Sequence, residues 1–303
     1  MVVFDSFPPL PPISESKNLL KDCDSLTLKK EDPGKFNIIP ENKVLIRNDD
    51  RQFEELRPIT IRTGVIENAD GSAYFSIGNT KVLCGIYGPN LCKQNPIEDG
   101  LSVSVEYTIG SFCRDSALAK SKLNTDNTEI KSDEKIKSIL LEKVINSVIC
   151  HEKYKRSSID CYFYIIDDDG SAFSAAISAA CLSLCNAKIE IIGLFSATNI
   201  IAVKSNSLFN KDGKTHTDDE YSMILDPTFN EISCLGANKY STLEIGLCTI
   251  RNQVVYLSAN GDFFNDPIRI EEGFSLAEAS CSAIVDEIKY HLTSEFNKNC
   301  NET

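Results

Sequence analysis

Twelve cysteines and three histidines are the side chains here best suited to metal binding or nucleophilic attack, and their spacing supports neither use. The cysteines are scattered along the chain with no C-x-x-C pair. Cys181 and Cys185 sit one helical turn apart inside an apolar run, where a thiol behaves as a small hydrophobe. His151, His216 and His291 are too far apart to form a local ligand pair. The start of the chain lacks a basic, apolar leader, so an oxidising compartment is not implied and buried, reduced thiols are expected. No cofactor or metal is expected.

Charge narrows the class further. The formal net charge is −13, whereas a dedicated nucleic-acid binder usually carries a basic surplus, so any RNA contact should be local and shared with partners. Arg114, Lys120 and Lys122 stand in a polar loop from Gly110 to Lys131, offset by Asp115 and Asp126. Arg57 and Arg62 flank Pro58 at the first expected strand and suit packing better than RNA binding. No apolar run approaches the roughly 20 residues a bilayer requires, so a soluble, intracellular protein with no membrane partner is expected.

The elements that must position these residues follow from periodicity. Ile59, Ile61 and, after Gly64, Val65 alternate with polar residues as a half-buried strand. Asp70-Gly71 signals a hairpin turn; Ala73, Phe75 and Ile77 alternate after it; Gly78-Asn79 turns the chain into Lys81–Tyr87, completing a meander. Leu101–Val105 reads as a strand. A helix is expected over 133–150, with Ser132 as its cap and Ile136, Ile139, Leu140, Val144, Ile145, Val148 and Ile149 on one face. Ile159–Ile166 is a strand, and 171–187 is a helix apolar nearly all round, hence central and buried.

Strands at 189–204, 223–225, 241–250 and 253–259 and a closing helix repeat the plan, with Ser275 and Glu278 as a capping box. Strands followed by helices, twice over, give an α+β domain of two similar halves. Residues 1–45, with FPPLPP at Phe7–Pro12, read as an extension that is either disordered or a docking arm. Residues 46–295 form one domain, and 296–303 a tail.

The stretch Glu55–Pro89, with its DGSAY and GNTKVLC strings, resembles the opening of a ribonuclease PH-like domain, and the resemblance extends over most of the chain. Gly71–Tyr74, Gly78–Val82, Asp168–Ser171 and Met223–Thr228 make it most similar to a eukaryotic RNA exosome ring subunit of the messenger RNA transport regulator type. Asp49-Asp50-Arg51 departs from the Asp-Gly-Arg of many relatives and leaves a loop conformation open. The resemblance implies the ribonuclease PH-like (ribosomal protein S5 domain 2-like) fold. It also implies partners: other ribonuclease PH-like ring subunits, an S1-type RNA-binding cap subunit, and RNA within the assembled complex. Location in nucleus, nucleolus and cytoplasm follows from the same resemblance.

Active members of this family join phosphate to RNA, which needs arginines and a carboxylate-held divalent ion. On the resemblance, one arginine position falls on Phe173 and another on Ser132, followed by Asp133. The first metal aspartate matches Asp226, but the second falls on Ile232, with Glu231 adjacent. The implied role is a catalytically inactive structural subunit supporting 3′–5′ RNA processing and degradation by the complex. The alternative is a phosphate-dependent 3′–5′ exoribonuclease acting through Asp226 and Glu231. Arg114, Lys120 and Lys122 match a loop that faces the ring channel in relatives, and either bind RNA there or are simply solvated.

Overall fold

Alternating apolar residues build the first sheet strand by strand. The strands β1 (Ile59–Thr63), β2 (Gly71–Ile77) and β3 (Thr80–Leu91) form the expected antiparallel meander, with Ile61 opposite Phe75 and Phe75 opposite Val82 on the buried face. β1 ends at Thr63, because Gly64 turns the chain at φ +65°, and Val65 is left exposed. The computed structural model describes residues 47, 51–91, 100–110, 112–113, 128–204, 221–235, 240–262 and 267–302. These belong to one unit, Asn42–Thr303. Arg114, Lys120, Lys122 and residues 1–45 lie outside the described residues.

Gly71 serves a different purpose from the one its turn-forming string suggests. It lies within β2 without positive φ, and a Cβ there would sit 2.4 Å from the backbone nitrogen of Ala187. The strand needs glycine because the end of the central helix packs directly on it.

β4 (Ser102–Ile109) and β5 (Ser157–Asp167) complete the sheet in the order β1-β2-β3-β5-β4. β4 and β5 are parallel, which requires a crossover, and α1 (Thr128–Val148) provides it. As the edge strand, β4 is protected by α1: the backbone N–H of Tyr107 donates to Ser138 Oγ (3.0 Å) and that of Ile109 to Glu134 Oε1 (2.9 Å). Ser132 does not cap α1 but lies inside it, exposed, because the helix starts at Thr128. Leu141, Val144, Ile145 and Val148 are buried as expected, whereas Ile136 and Ile139 are exposed.

The second sheet, order β7-β6-β8-β9, is antiparallel throughout: β6 (Phe195–Lys204), β7 (Tyr221–Leu225), β8 (Tyr240–Cys248) and β9 (Gln253–Asn260). Between the sheets runs α2 (Ala172–Asn186), buried from Ala172 to Leu184 and packed against β2, β3 and β6. Its small residues allow that close approach on several sides. α3 (Phe229–Leu235) follows β7, and α4 (Pro267–Glu302) packs on β6 and β8 through Ala277, Cys281 and Ile284.

α4 begins before the expected capping box, so Ser275 and Glu278 are interior helical residues, and it continues through most of the residues expected as a tail. Proline at its first position suits a helix start, since its missing N–H would have no helical partner there. The folded sheets and helices are the expected α+β architecture.

Among the described cysteines, Cys84, Cys113, Cys161, Cys181, Cys248 and Cys281 are buried. Burial pushes the Cys84 thiol up to about 12, against a weaker opposing hydrogen bond from Ser183. Such a thiol stays protonated and unreactive at neutral pH.

Candidate functional site

Segments far apart in sequence meet where β5 ends. Gly170 adopts φ +92°, and a Cβ there would lie 2.4 Å from the Pro227 carbonyl oxygen, so the loop before α2 can approach the loop after β7 only at glycine. Thr80, from the start of β3, ties the loop down: its hydroxyl donates to the Gly170 carbonyl (2.7 Å) and accepts from the Asp169 N–H (3.1 Å). Asn79 Nδ2 donates to Asp169 Oδ2 at 3.0 Å. The glycine and polar residues of these strings therefore join a loop to a turn across the fold.

Arg57 is the centre of this junction. Its Nε and Nη2 donate to the two carboxylate oxygens of Asp226 at 2.7 and 2.6 Å, a planar fork on a planar acceptor. Nη1 also donates to the Asp169 carbonyl (3.0 Å) and Nη2 to the Gly170 carbonyl (3.2 Å). Arg57 is 4 % exposed and Asp226 2 %. Burial works against the guanidinium charge, but the hydrogen bond and charge of Asp226, with Asp169 and Glu231 behind it, overcome this and hold its pKa above the ordinary value.

Glu231 has a different set of partners. It forms a capping box at the start of α3, where Glu231 Oε2 accepts from the Thr228 N–H (2.8 Å) and Thr228 Oγ1 accepts from the Glu231 N–H (3.3 Å). Its other oxygen lies 3.3 Å from Nε of Arg47, whose Nη2 donates to the Leu225 carbonyl. Asp226 and Glu231 are thus each engaged by an arginine. Among the described residues no group of three or more His, Cys, Asp or Glu is placed to hold a metal ion. Holding a divalent ion through this pair would require both carboxylates to leave their arginine partners.

On the other side of the loop, at the head of α2, lies a cleft of about 390 Å³. Phe173 stands in its wall, 5 % exposed, with its ring 5.0 Å from that of Tyr256 and 6.4 Å from that of Tyr107. Ile136, Leu140, Phe229 and Ile232 add apolar surface, and Asp133, Asp168 and Glu244 add carboxylates. Lys137 also lines the cleft, and its ammonium lies 5.4 Å from the centroid of the Tyr107 ring.

Burial raises the pKa of Glu244, and the charge of Asp168 adds to this, while Lys137 and a hydrogen bond from Tyr256 oppose it. The folded state therefore holds this proton more tightly than the unfolded chain, and stability is lost as pH rises through the window between the two values. Glu244→Gln is expected to stabilise the protein at pH 7, with the gain vanishing at or below about pH 3, where the carboxyl is neutral in both states. Urea midpoints at the two pH values measure this, and an equal gain at both would contradict the assignment.

The structure brings Phe173, Asp133 and Ile232 into one cleft and leaves Ser132 outside its lining. Asp226 and Glu231, paired in the sequence, instead serve Arg57 and Arg47. Glu244, Lys137 and Tyr256 are additions the sequence reading missed. The available signal was an acidic residue in the otherwise apolar alternation Leu243-Glu244-Ile245.

Residues 55–190 match the 3′ exoribonuclease family, domain 1 (RNase PH). The chain is 34% identical over 184 residues to exosome complex component RRP41 of Caenorhabditis elegans, spanning 60% of this chain and 73% of that protein. It is 29% identical over 247 residues to the Arabidopsis thaliana RRP41 homolog, covering 80% of this chain and 90% of that one. Among solved structures, rice Rrp46 superposes with a TM-score of 0.61 at 20% identity, covering 81% of this chain and all of that one. An Archaeoglobus fulgidus exosome with RNA bound to the active site gives 0.58 at 17%, covering 80% and 92%. By fold and by sequence, this chain belongs to the RNase PH family of 3′ exoribonucleases and resembles the members that are exosome components.

Proposed function

We propose that the chain is a catalytically silent ring subunit of an RNA exosome, contributing surface and shape to 3′–5′ RNA processing and degradation carried out by the assembly. The observation that carries this reading is the cleft at the head of α2, where Phe173 packs at a tilt against Tyr107 and Tyr256 at the expected arginine position and Asp133, Asp168 and Glu244 line the walls. Phosphate entering that cleft would meet carboxylates where charge neutralisation is needed. The rival reading, phosphorolysis through Asp226 and Glu231, would require both to leave arginine partners.

Relatives named as exosome components support ring membership, with other RNase PH-like subunits as neighbours and RNA as the shared substrate. The finer assignment, to the messenger RNA transport regulator type, rests on Gly71–Tyr74, Gly78–Val82, Asp168–Ser171 and above all Met223–Thr228, and the S1-type cap partner and location in nucleus, nucleolus and cytoplasm follow from that resemblance. The RNA contact of this subunit is assigned to Arg114, Lys120 and Lys122.

The purified chain, incubated with single-stranded RNA, phosphate and magnesium, is expected to release no nucleoside diphosphate. Release in proportion to chain concentration would overturn the silent reading. Co-expression with an RNase PH-like exosome subunit is expected to yield a defined heteromer, and a chain that stays a monomer beside every such subunit would reject ring membership.

A further inference from the structure

The described lining of the cleft at the head of α2 has the wrong sign for phosphate, and its chemistry suits another ligand. Carboxylates enter from three elements: Asp133 from α1, Asp168 from the loop after β5, and Glu244 from β8. Among the described lining residues, Lys137 is the only cation, so negative charge predominates. The N-terminus of α2 contributes a partial positive charge of about half a unit, too little to reverse that balance.

The remaining surface is apolar and aromatic: Phe173, Tyr256, Phe229 and Ile232. The hydroxyl of Ser171, in the cleft lining, is an independent sign of a missing partner. Ser171 is 9 % exposed, caps α2 from a left-handed conformation without a side-chain hydrogen bond to the helix, and its Oγ has no hydrogen-bond partner.

A ligand that answers all of this carries a delocalised cation on an apolar stem. We propose that the cleft is a docking site for an arginine side chain flanked by apolar residues on a partner protein, its guanidinium facing the carboxylates and its stem lying along the aromatic rings. Arginine fits better than lysine because its planar fork presents several donors at once, matching carboxylates on different walls and stacking on a ring face. An RNA occupant would be repelled by the same carboxylates. The inference goes beyond exosome membership, since it depends only on the cleft and holds whichever assembly the chain joins.

The probe is the peptide acetyl-Ala-Leu-Arg-Phe-Ala-amide, titrated into the full chain alongside its citrulline counterpart, which keeps the shape and removes the charge. Binding followed by amide chemical shifts is expected to move signals of Phe173, Ile232 and Glu244, with the arginine peptide tighter by on the order of tenfold. Asp133→Lys lies at an exposed position on α1 and leaves the fold intact, and it is expected to weaken the arginine peptide by a similar factor.

Equal affinity of the two peptides, indifference to Asp133→Lys, shifts confined to another face, or no binding at millimolar peptide would each overturn the proposal. Because the measurement involves neither RNA turnover nor ring assembly, its failure is separate from failure of the exosome reading.

Discussion

Replacing Arg57 with alanine is expected to destabilise the fold by about 3–5 kcal/mol, the range for removing one partner of a buried ion pair. The loss exceeds that of a single hydrogen bond because Asp226 would remain buried without the guanidinium that occupies both its oxygens. The carbonyls of Asp169 and Gly170 would lose donors as well. Against a total stability of about 5–15 kcal/mol for a folded domain, such a loss should show as a large drop in urea midpoint or as failure to express in soluble form. Arg57→Lys should recover part of it, since an ammonium restores the charge but not the fork. Pairing Arg57→Met with Asp226→Asn should cost less than Arg57→Ala alone, because the Asp226 charge is then no longer buried without its guanidinium, and asparagine tolerates the φ of +49° at that position. If Arg57→Ala shifted stability by less than about 1 kcal/mol, the junction described here would be incidental to the fold.

The same junction shows where sequence reasoning reaches its limit. β1–β3 were legible because alternation and turns are local properties, and α2 was legible because an all-round apolar helix has only one place to go. Arg57 and Asp226 are 169 positions apart, and no periodicity reports such a pairing. Gly71 fits a turn string, yet its real constraint is the end of α2, a contact visible only in three dimensions. The helix starts failed for a related reason. Ser132, and Ser275 with Glu278, have cap chemistry, but α1 and α4 begin before them, so the caps offered by the sequence were not the ones used. Of the positions aligned on the family, Phe173 and Ile232 line one cleft and Ser132 does not, its neighbour Asp133 doing so instead, while the carboxylates that set the cleft's sign come partly from β8, where a lone Glu244 gave little warning.

Phe173→Ala is the sharpest test of what that cleft is built for. Phe173 packs between the rings of Tyr107 and Tyr256, so truncation removes two aromatic contacts and opens space beside the head of α2. The expected cost is about 3–5 kcal/mol in urea unfolding. Phe112, 66 % exposed, provides the control: Phe112→Ala should stay within about 0.5 kcal/mol. Phe173→Arg separates packing from chemistry. Its guanidinium would enter a cleft already carrying Asp133, Asp168 and Glu244, and pairing with them should make it less destabilising than Phe173→Ala at neutral pH. Those same carboxylates would neutralise the new charge, and Asp226 would remain held by Arg57, so the variant is expected to release no nucleoside diphosphate from RNA in phosphate and magnesium. Phosphate-dependent RNA shortening by Phe173→Arg alone would mean that a single lost arginine, and not the sign of the whole cleft, separates this chain from an active enzyme.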